Sequence, residues 1–328
     1  MRYHITRLFG LGGTGEYAQQ EIAKSACDIG FNELGLYHYP VRVDSTSELR
    51  KRIDGIVAGV QRNDVVILQL PTWNDVEYEK EFIRKMKRYK VRLGILVHDV
   101  RPMMFNKGED SIREIVDVYN MADLLILPSK AMHDFLIERG LNVKKVLYQS
   151  IMDLNIDFRF PEPVFSKRIF FVGDSNRFPE LLDWKGESEI YWYTRKLETN
   201  NSKLIHGGFL SETEFLVSLA KGGVGLVWAD GQQGEYYKYN QPHKLCSYLA
   251  AGIPVIVKRG TAHSEFVLKY NLGVAVDTLK EADEFVQNLS EETYLQYLNN
   301  IKDISNMIRN GMFSKKLLID AVHELLLP

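Results

Sequence analysis

Cysteine is almost missing: Cys27 and Cys246 are the only two in 328 residues. They form no metal-ligand pair by spacing and cannot staple a chain this large, which excludes a disulfide scaffold and fits a reducing compartment. Long apolar runs are missing too. None approaches the ~20 residues needed to cross a bilayer, and Met1-Arg2-Tyr3-His4-Ile5-Thr6 carries no signal-peptide core, so a cytoplasmic protein without a membrane span is expected. Nor is there an excess of one charge: 41 basic and 43 acidic residues leave a formal net charge of −2. Nothing then drives indiscriminate binding to nucleic acid or anionic lipid. No Asp-x-Asp metal motif stands out, since Asp110 after Glu109 reads as a solvated loop, and no metal or other cofactor is expected. What remains is an ordinary globular composition, 45% apolar and 26% charged, which argues against a disordered or collagen-like chain. At about 150 residues per domain the length points to two domains.

Short β-rich runs alternate with amphipathic stretches. Val65-Val66-Ile67-Leu68, Leu93-Gly94-Ile95-Leu96-Val97 and Leu124-Leu125-Ile126-Leu127 show little polar alternation, the mark of parallel strands covered on both faces. Between them, residues 77–89 place Phe82, Ile83 and Met86 at helical spacing, and Ser129 is set to cap a helix carrying Met132, Phe135 and Leu136 that Gly140 ends. The pattern breaks at Phe158-Arg159-Phe160-Pro161-Glu162-Pro163, an extended linker by its prolines. It resumes with runs beginning at Ile169, Glu189, Gly225, Pro254 and Leu272. The sequence therefore predicts an α/β protein of two Rossmann-like, doubly wound domains, 1–160 and 161–328, facing a cleft where ligands of such folds sit. The tail from Glu291 to Leu327 reads as helices that either return to the first domain or form a subunit interface.

Two segments carry most of the chemical information. Phe9-Gly10-Leu11-Gly12-Gly13-Thr14-Gly15-Glu16 joins a first strand to a helical pattern, so that backbone amides near Gly13 and Thr14 can approach an anion. The spacing fits neither the dinucleotide fingerprint nor a P-loop, and a plain strand-to-helix turn fits equally well. In Asn240-Gln241-Pro242-His243-Lys244-Leu245-Cys246-Ser247-Tyr248-Leu249-Ala250-Ala251-Gly252-Ile253-Pro254, a helix opening near Pro242 has Lys244 in its first turn. A cation there opposes the helix dipole unless an anion lies between them, which marks Lys244 for a phosphate.

That segment resembles the nucleotide-sugar block of GT-B glycosyltransferases. The strand and helix from Ala122 to Gly140 and the loop Gly173-Asp174-Ser175-Asn176-Arg177 resemble further parts of the same fold in the same order. Arg50 to Gly59, Gln69-Leu70-Pro71-Thr72-Trp73-Asn74 and His98-Asp99-Val100 are similar to the streptococcal and lactobacillar enzymes that extend the sugar on serine-rich-repeat adhesins, once labelled nucleotide-sugar-synthetase-like proteins. The resemblance implies a metal-independent, homo-oligomeric enzyme, a dimer or a tetramer. It would transfer glucose or N-acetylglucosamine from a UDP-sugar to O-linked GlcNAc on such an adhesin, with retention.

The resemblance also assigns roles. Arg177 and Lys244 would clamp the diphosphate and neutralise the leaving UDP, with Gly13, Thr14 and Asn176 on the same side. Phe209 and Leu210 would meet the uracil, Asn240 and His243 the donor sugar. Many relatives carry two glutamates where this chain has Tyr239 and Ser247, so the ribose loses a carboxylate partner and Ser247 is left to donate. In the first domain Asp99 is expected to act on the transferred sugar or the acceptor hydroxyl, with His98, Gln69, Thr72 and Trp73 on the acceptor side and Trp73 either stacking on a sugar or belonging to the core. An epimerase or mutase of the same fold, or a non-catalytic partner protein, stays open at this point. Retained Lys244 and Arg177 speak against the partner, and the missing glutamates speak for it.

Overall fold

The computed structural model describes residues 1–158 and 161–327. Arg159 and Phe160 of the expected linker, and with them the expected boundary at 160, lie outside the described residues. The chain divides into two units, Met1–Asn155 together with the segment from Gly311 onward, and Ile156–Asn310. This differs from a single cut at 160 in giving the last helix to the first unit.

The first unit alternates strand and helix, with two helices between its fourth and fifth strands: β1 (Tyr3–Phe9), α1 (Gly13–Asp28), β2 (Asn32–Tyr37), α2 (Thr46–Ile56), β3 (Val65–Leu70), α3 (Val76–Arg88), β4 (Arg92–Val97), α4 (Arg101–Met104), α5 (Glu109–Tyr119), β5 (Leu124–Leu127), α6 (Lys130–Ile137) and β6 (Val146–Tyr148). Its described strands form one sheet in the order β2-β1-β3-β4-β5-β6, every pairing parallel. All six residues of β3 are buried, because helices cover both faces of this central strand. The order reverses direction between β1 and β3, and the loops leaving their carboxyl ends flank a switch point where ligands of doubly wound sheets bind.

The second unit contains β7 (Arg168–Val172), β8 (Glu189–Tyr193), β9 (Leu204–Gly208), α7 (Glu212–Leu219), β10 (Val224–Val227), α8 (Gly231–Tyr237), α9 (His243–Ala250), β11 (Val255–Lys258), α10 (Ser264–Lys269), β12 (Gly273–Val276), α11 (Leu279–Asn288) and α12 (Glu291–Arg309). Its sheet runs β12-β11-β10-β7-β8-β9, again parallel, with the switch point between β7 and β10. Helix α9 lies directly on β10: a Cβ on Gly225 would come within 2.3 Å of the Tyr248 ring, so only glycine lets the helix approach this closely. From α12, the Ser305 hydroxyl and Arg309 Nε both donate to the Ala250 carbonyl, at 2.9 and 2.6 Å. They satisfy an orphan acceptor at the C-terminal end of α9 and fix that helix on the sheet.

A final helix, α13 (Met312–Leu326), follows a left-handed Gly311 with φ 66°. A Cβ there would stand 2.3 Å from Ser25 Oγ and 2.6 Å from Asn155 Oδ1, so the break between α12 and α13 requires glycine. Leu317, Leu318, Ala321 and Leu325 then enter the same apolar cluster as Ile5, Ile22, Val65, Ile67, Leu96, Leu124 and Ile126. Burial at roughly 1.5–3 kcal/mol for each leucine makes this helix part of the first unit's core. Among the described residues no helix is long and apolar enough to cross a membrane.

Candidate functional site

In the second unit Pro242 forms the N-cap of α9 and Lys244 occupies its first turn. The aliphatic stem of Lys244 carries the amine inward, where Nζ is buried without a hydrogen-bond partner. The rings of Phe171, from β7, and Phe178 meet edge to face at 4.9 Å, and each places its centroid 4.0 Å from that nitrogen. Aromatic faces tolerate a cation but give it no hydrogen bond. Burial, with the nearby Arg177 charge adding to it, pushes the Lys244 amine well below the usual lysine range, and Glu180 opposes the shift.

Arg177 ends a short 3-10 turn, Ser175–Arg177, whose start is held by Asp174 accepting from the Asn176 amide at 3.0 Å. Its guanidinium is exposed and donates to Gln233 of α8. The Asn176 side chain is exposed and donates to Asp174 at 3.1 Å. Glu180, which accepts from the Asp230 amide at 2.9 Å, joins the loop after β7 to the loop after β10 across the switch point. The two expected cations thus lie within electrostatic reach of one another, each held by partners that only tertiary structure supplies.

Around the start of α9, Asn240 and Ser247 are buried and His243 is half-buried. Asn240 Nδ2 donates to the Tyr236 hydroxyl at 3.2 Å. His243 is pushed down to about 4 by burial, so its imidazole is neutral at pH 7. The Ser247 hydroxyl donates to Glu212 in the first turn of α7 at 3.2 Å. A carboxylate thus stands beside Ser247, brought by a different element from the one that carries it in relatives with two glutamates. Phe209 is 67% exposed, with the Arg195 guanidinium 4.5 Å over its ring. Leu210 follows it, just ahead of the capping box of Ser211 and Glu214 that starts α7. His263 is fully buried and pushed down to about 3, by burial first and by the Lys244 charge second.

In the first unit the glycine-rich turn opens α1 with Gly13 and Thr14 exposed. The amides of Leu11 and Gly12 donate to Glu16 at 2.7 and 2.6 Å. Two of the amides expected to face an outside anion are therefore held by the chain's own carboxylate, which satisfies a helix start that has no side-chain cap.

Gln69 is 0% exposed, which corrects its placement as a direct acceptor contact. Its Nε2 donates to the carbonyls of Thr6 and Gln19, so its Oε1 must be the acceptor for His98 Nε2, 2.8 Å away. That assignment puts a proton on His98 Nε2. Gln69 is a support for His98. Asp99 follows at the end of β4, half-buried, and its charge, after burial and the Glu79 charge, helps keep the Tyr119 phenol well above its ordinary range.

Thr72 is fully buried, which likewise takes its side chain away from an acceptor. Its amide and hydroxyl both donate to Glu79 Oε1, at 2.9 and 3.2 Å. Trp73 is half-exposed and left-handed at φ 60°. Its indole lies against Gly15, where an added Cβ would sit 3.0 Å from Nε1, with the Arg101 guanidinium 5.7 Å from the ring. Glu16, Glu79, Arg101, Glu212 and the Phe171-Phe178 pair gave no sequence signal of their own, because each matters through a partner on another element or turn. Among the described residues no group of three or more His, Cys, Asp or Glu is arranged to hold a metal ion.

Two parallel, doubly wound units with their side-chain clusters at the carboxyl ends of strands give the GT-B fold. HepE of Anabaena, solved with UDP-glucose, has the same fold at a TM-score of 0.68 over 98% of this chain and 99% of that one, with 10% identity. The family models described as Glucosyltransferase 3-like match residues 2–151 for the N-terminal domain and 169–321 for the C-terminal domain. Glucosyltransferase 3 of Streptococcus gordonii is 40% identical over 99% of this chain and 100% of its own. The Streptococcus parasanguinis protein of that name is 35% identical over 99% of each. The chain belongs to the glucosyltransferase 3-like family and is a glycosyltransferase.

Proposed function

We propose that the protein transfers a hexose, glucose or N-acetylglucosamine, from a UDP-sugar to O-linked GlcNAc on a serine-rich-repeat adhesin, with retention and without a metal, acting in the cytoplasm as a homo-oligomer. The observation that carries the donor half is the Lys244 amine, buried beside Arg177 without a hydrogen-bond partner. Holding a cation out of water costs several kcal/mol unless a counter-charge meets it. A nucleoside diphosphate supplies that counter-charge, and its leaving group gains negative charge as the glycosidic bond breaks, where paired cations act most strongly. HepE is a UDP-glucose complex of the same fold, and the streptococcal relatives are named glucosyltransferases, which favours glucose.

In this reading Arg177 and Lys244 hold the diphosphate, with Asn176 beside them. Phe209 and Leu210 take the uracil, Ser247 and Glu212 the ribose, and Asn240 and His243 the donor sugar. Asp99 meets the transferred sugar and the acceptor hydroxyl with the buried His98 behind it, Gln69 fixes the His98 tautomer, and Trp73 stacks on the acceptor sugar. The β-phosphate itself takes the acceptor proton on the face the leaving group vacates, so retention needs no separate base.

The test is UDP release from UDP-glucose and UDP-N-acetylglucosamine in turn, with and without a GlcNAc-bearing Ser/Thr peptide, in EDTA throughout. Peptide-dependent release is expected, and Lys244→Ala should lower it by about two to three orders of magnitude. Absence of both release and UDP binding would overturn the enzyme reading. Release that ignores the peptide would overturn the acceptor.

A further inference from the structure

The segment 71–75, between β3 and α3, is tied down at every residue except the one it displays. The Pro71 carbonyl accepts from Gln19 Nε2 at 2.7 Å. Asn74 accepts from the Tyr39 amide at 3.1 Å, and its carbonyl accepts from Arg101 at 3.1 Å. Asp75 caps α3 by accepting from the Tyr78 amide at 3.0 Å. Thr72 is held twice by Glu79, a carboxyl 2% exposed in the first turn of α3. In the middle stands Trp73, in a left-handed backbone conformation that a bulky side chain rarely takes, its indole beside Gly15 and the Arg101 guanidinium 5.7 Å from the ring. Strain of this kind persists where surrounding contacts over-determine it, and it concentrates at functional sites. A buried carboxyl is a costly anchor, since glutamine or an apolar side chain would fill the place without the desolvation of a charge.

We propose that Glu79 is a positioning residue for the acceptor, fixing through Thr72 the angle at which Trp73 presents its face to a sugar ring. This rests on the reading that Trp73 meets the acceptor. An indole face packs on the apolar side of a pyranose only over a narrow range of tilts, so a loosened Thr72 shows first in acceptor affinity.

The same geometry gives the residue a titration signature. Burial pushes the Glu79 carboxyl up to about 7 against the two Thr72 donors. Arg101 on α4 favours its charged form and Asp75 at the head of α3 disfavours it. The two phenols facing it, Tyr78 on α3 and Tyr119 on α5, are both raised above their ordinary range and carry no charge near neutrality. Ionised Glu79 holds Thr72 more tightly than the protonated acid does, so acceptor KM rises as pH falls through about 7.

The experiment measures acceptor KM and kcat for the GlcNAc-bearing peptide from about pH 6 to about pH 8.5, with UDP-glucose as donor and UDP binding by calorimetry as control. Glu79→Gln should raise acceptor KM about tenfold at pH 8 with kcat within about twofold, abolish the inflection near 7, and leave UDP affinity unchanged. Thr72→Val, which keeps the amide and removes the hydroxyl, should move KM the same way by less. Wild-type KM and an intact inflection in Glu79→Gln overturn the proposal, and so does a loss of kcat alone. If Trp73→Ala leaves acceptor KM untouched, the acceptor reading of Trp73 itself fails, whatever Glu79→Gln does. Should Glu79→Gln not fold, the Thr72→Val profile decides alone: wild-type KM there overturns the proposal.

Discussion

Lys244 shows how a single side chain links binding to pH. In the free protein its amine is held below the ordinary lysine range by burial and by Arg177, so it is neutral over part of the range in which an exposed lysine is charged. A bound diphosphate favours the ammonium form and raises that value again, so UDP binding takes up a proton between the two values. Affinity must then fall as pH rises through that window, by at most about tenfold per pH unit. The expected outcome is an observed binding enthalpy that varies with the buffer's ionisation enthalpy in the wild type. Lys244→Arg should bind without that dependence, because guanidinium stays charged. The place of Lys244 in a first turn was legible from a helix start read off Pro242, whereas Arg177 was singled out only by the family resemblance of its loop. Glu16 and Glu79 were not, because their meaning lies in which amides they hold, and a carboxylate in a first turn reads as ordinary helix chemistry.

Among elements, what separated legible from illegible was the apolar content of the strand. Central strands such as β3 and β4 are continuous apolar runs and announce themselves. The edge strand β2, Asn-Glu-Leu-Gly-Leu-Tyr with alternating exposure, and β9, which ends in two glycines, carry too little apolar sequence to read as strands. The Gly207-Gly208 pair is the end of β9, and β10 ends at Val227. This matters for the site, because β9 delivers the chain to Phe209 and to the capped start of α7, and α7 brings Glu212 to Ser247 across 35 residues. Glu212→Gln is expected to weaken UDP binding about tenfold, the worth of a hydrogen bond to a charged acceptor. It should bind 2′-deoxy-UDP with little further loss. Calorimetry with the two nucleotides decides: an unchanged preference for UDP removes Glu212 from the ribose.

At the scale of the whole molecule the two-domain α/β architecture was legible and the path of the chain was not. Helical periodicity gives α12 and α13 apolar faces but does not say which core receives them. Gly311 settles it, by turning the chain so that α12 stays on α9 in the second unit while α13 enters the core of the first. A fragment of residues 1–155 is therefore expected to lack a cooperative thermal transition and to regain one when a peptide of residues 311–328 is added. In the intact chain Leu318→Ala should cost about 2–5 kcal/mol, as large cavities in packed cores do, read from denaturant unfolding. A stable, cooperative 1–155 fragment would remove α13 from that unit's core.

That last helix also orders events on the ribosome. The strands of the first unit emerge early, but their core stays open until the chain beyond Gly311 has been made, after the whole of the second unit. At about 5–20 residues per second this interval lasts roughly 8–30 s, during which an apolar sheet face is free to meet a chaperone or a neighbouring nascent chain. A polypeptide that stops before Gly311 leaves that face uncovered for good.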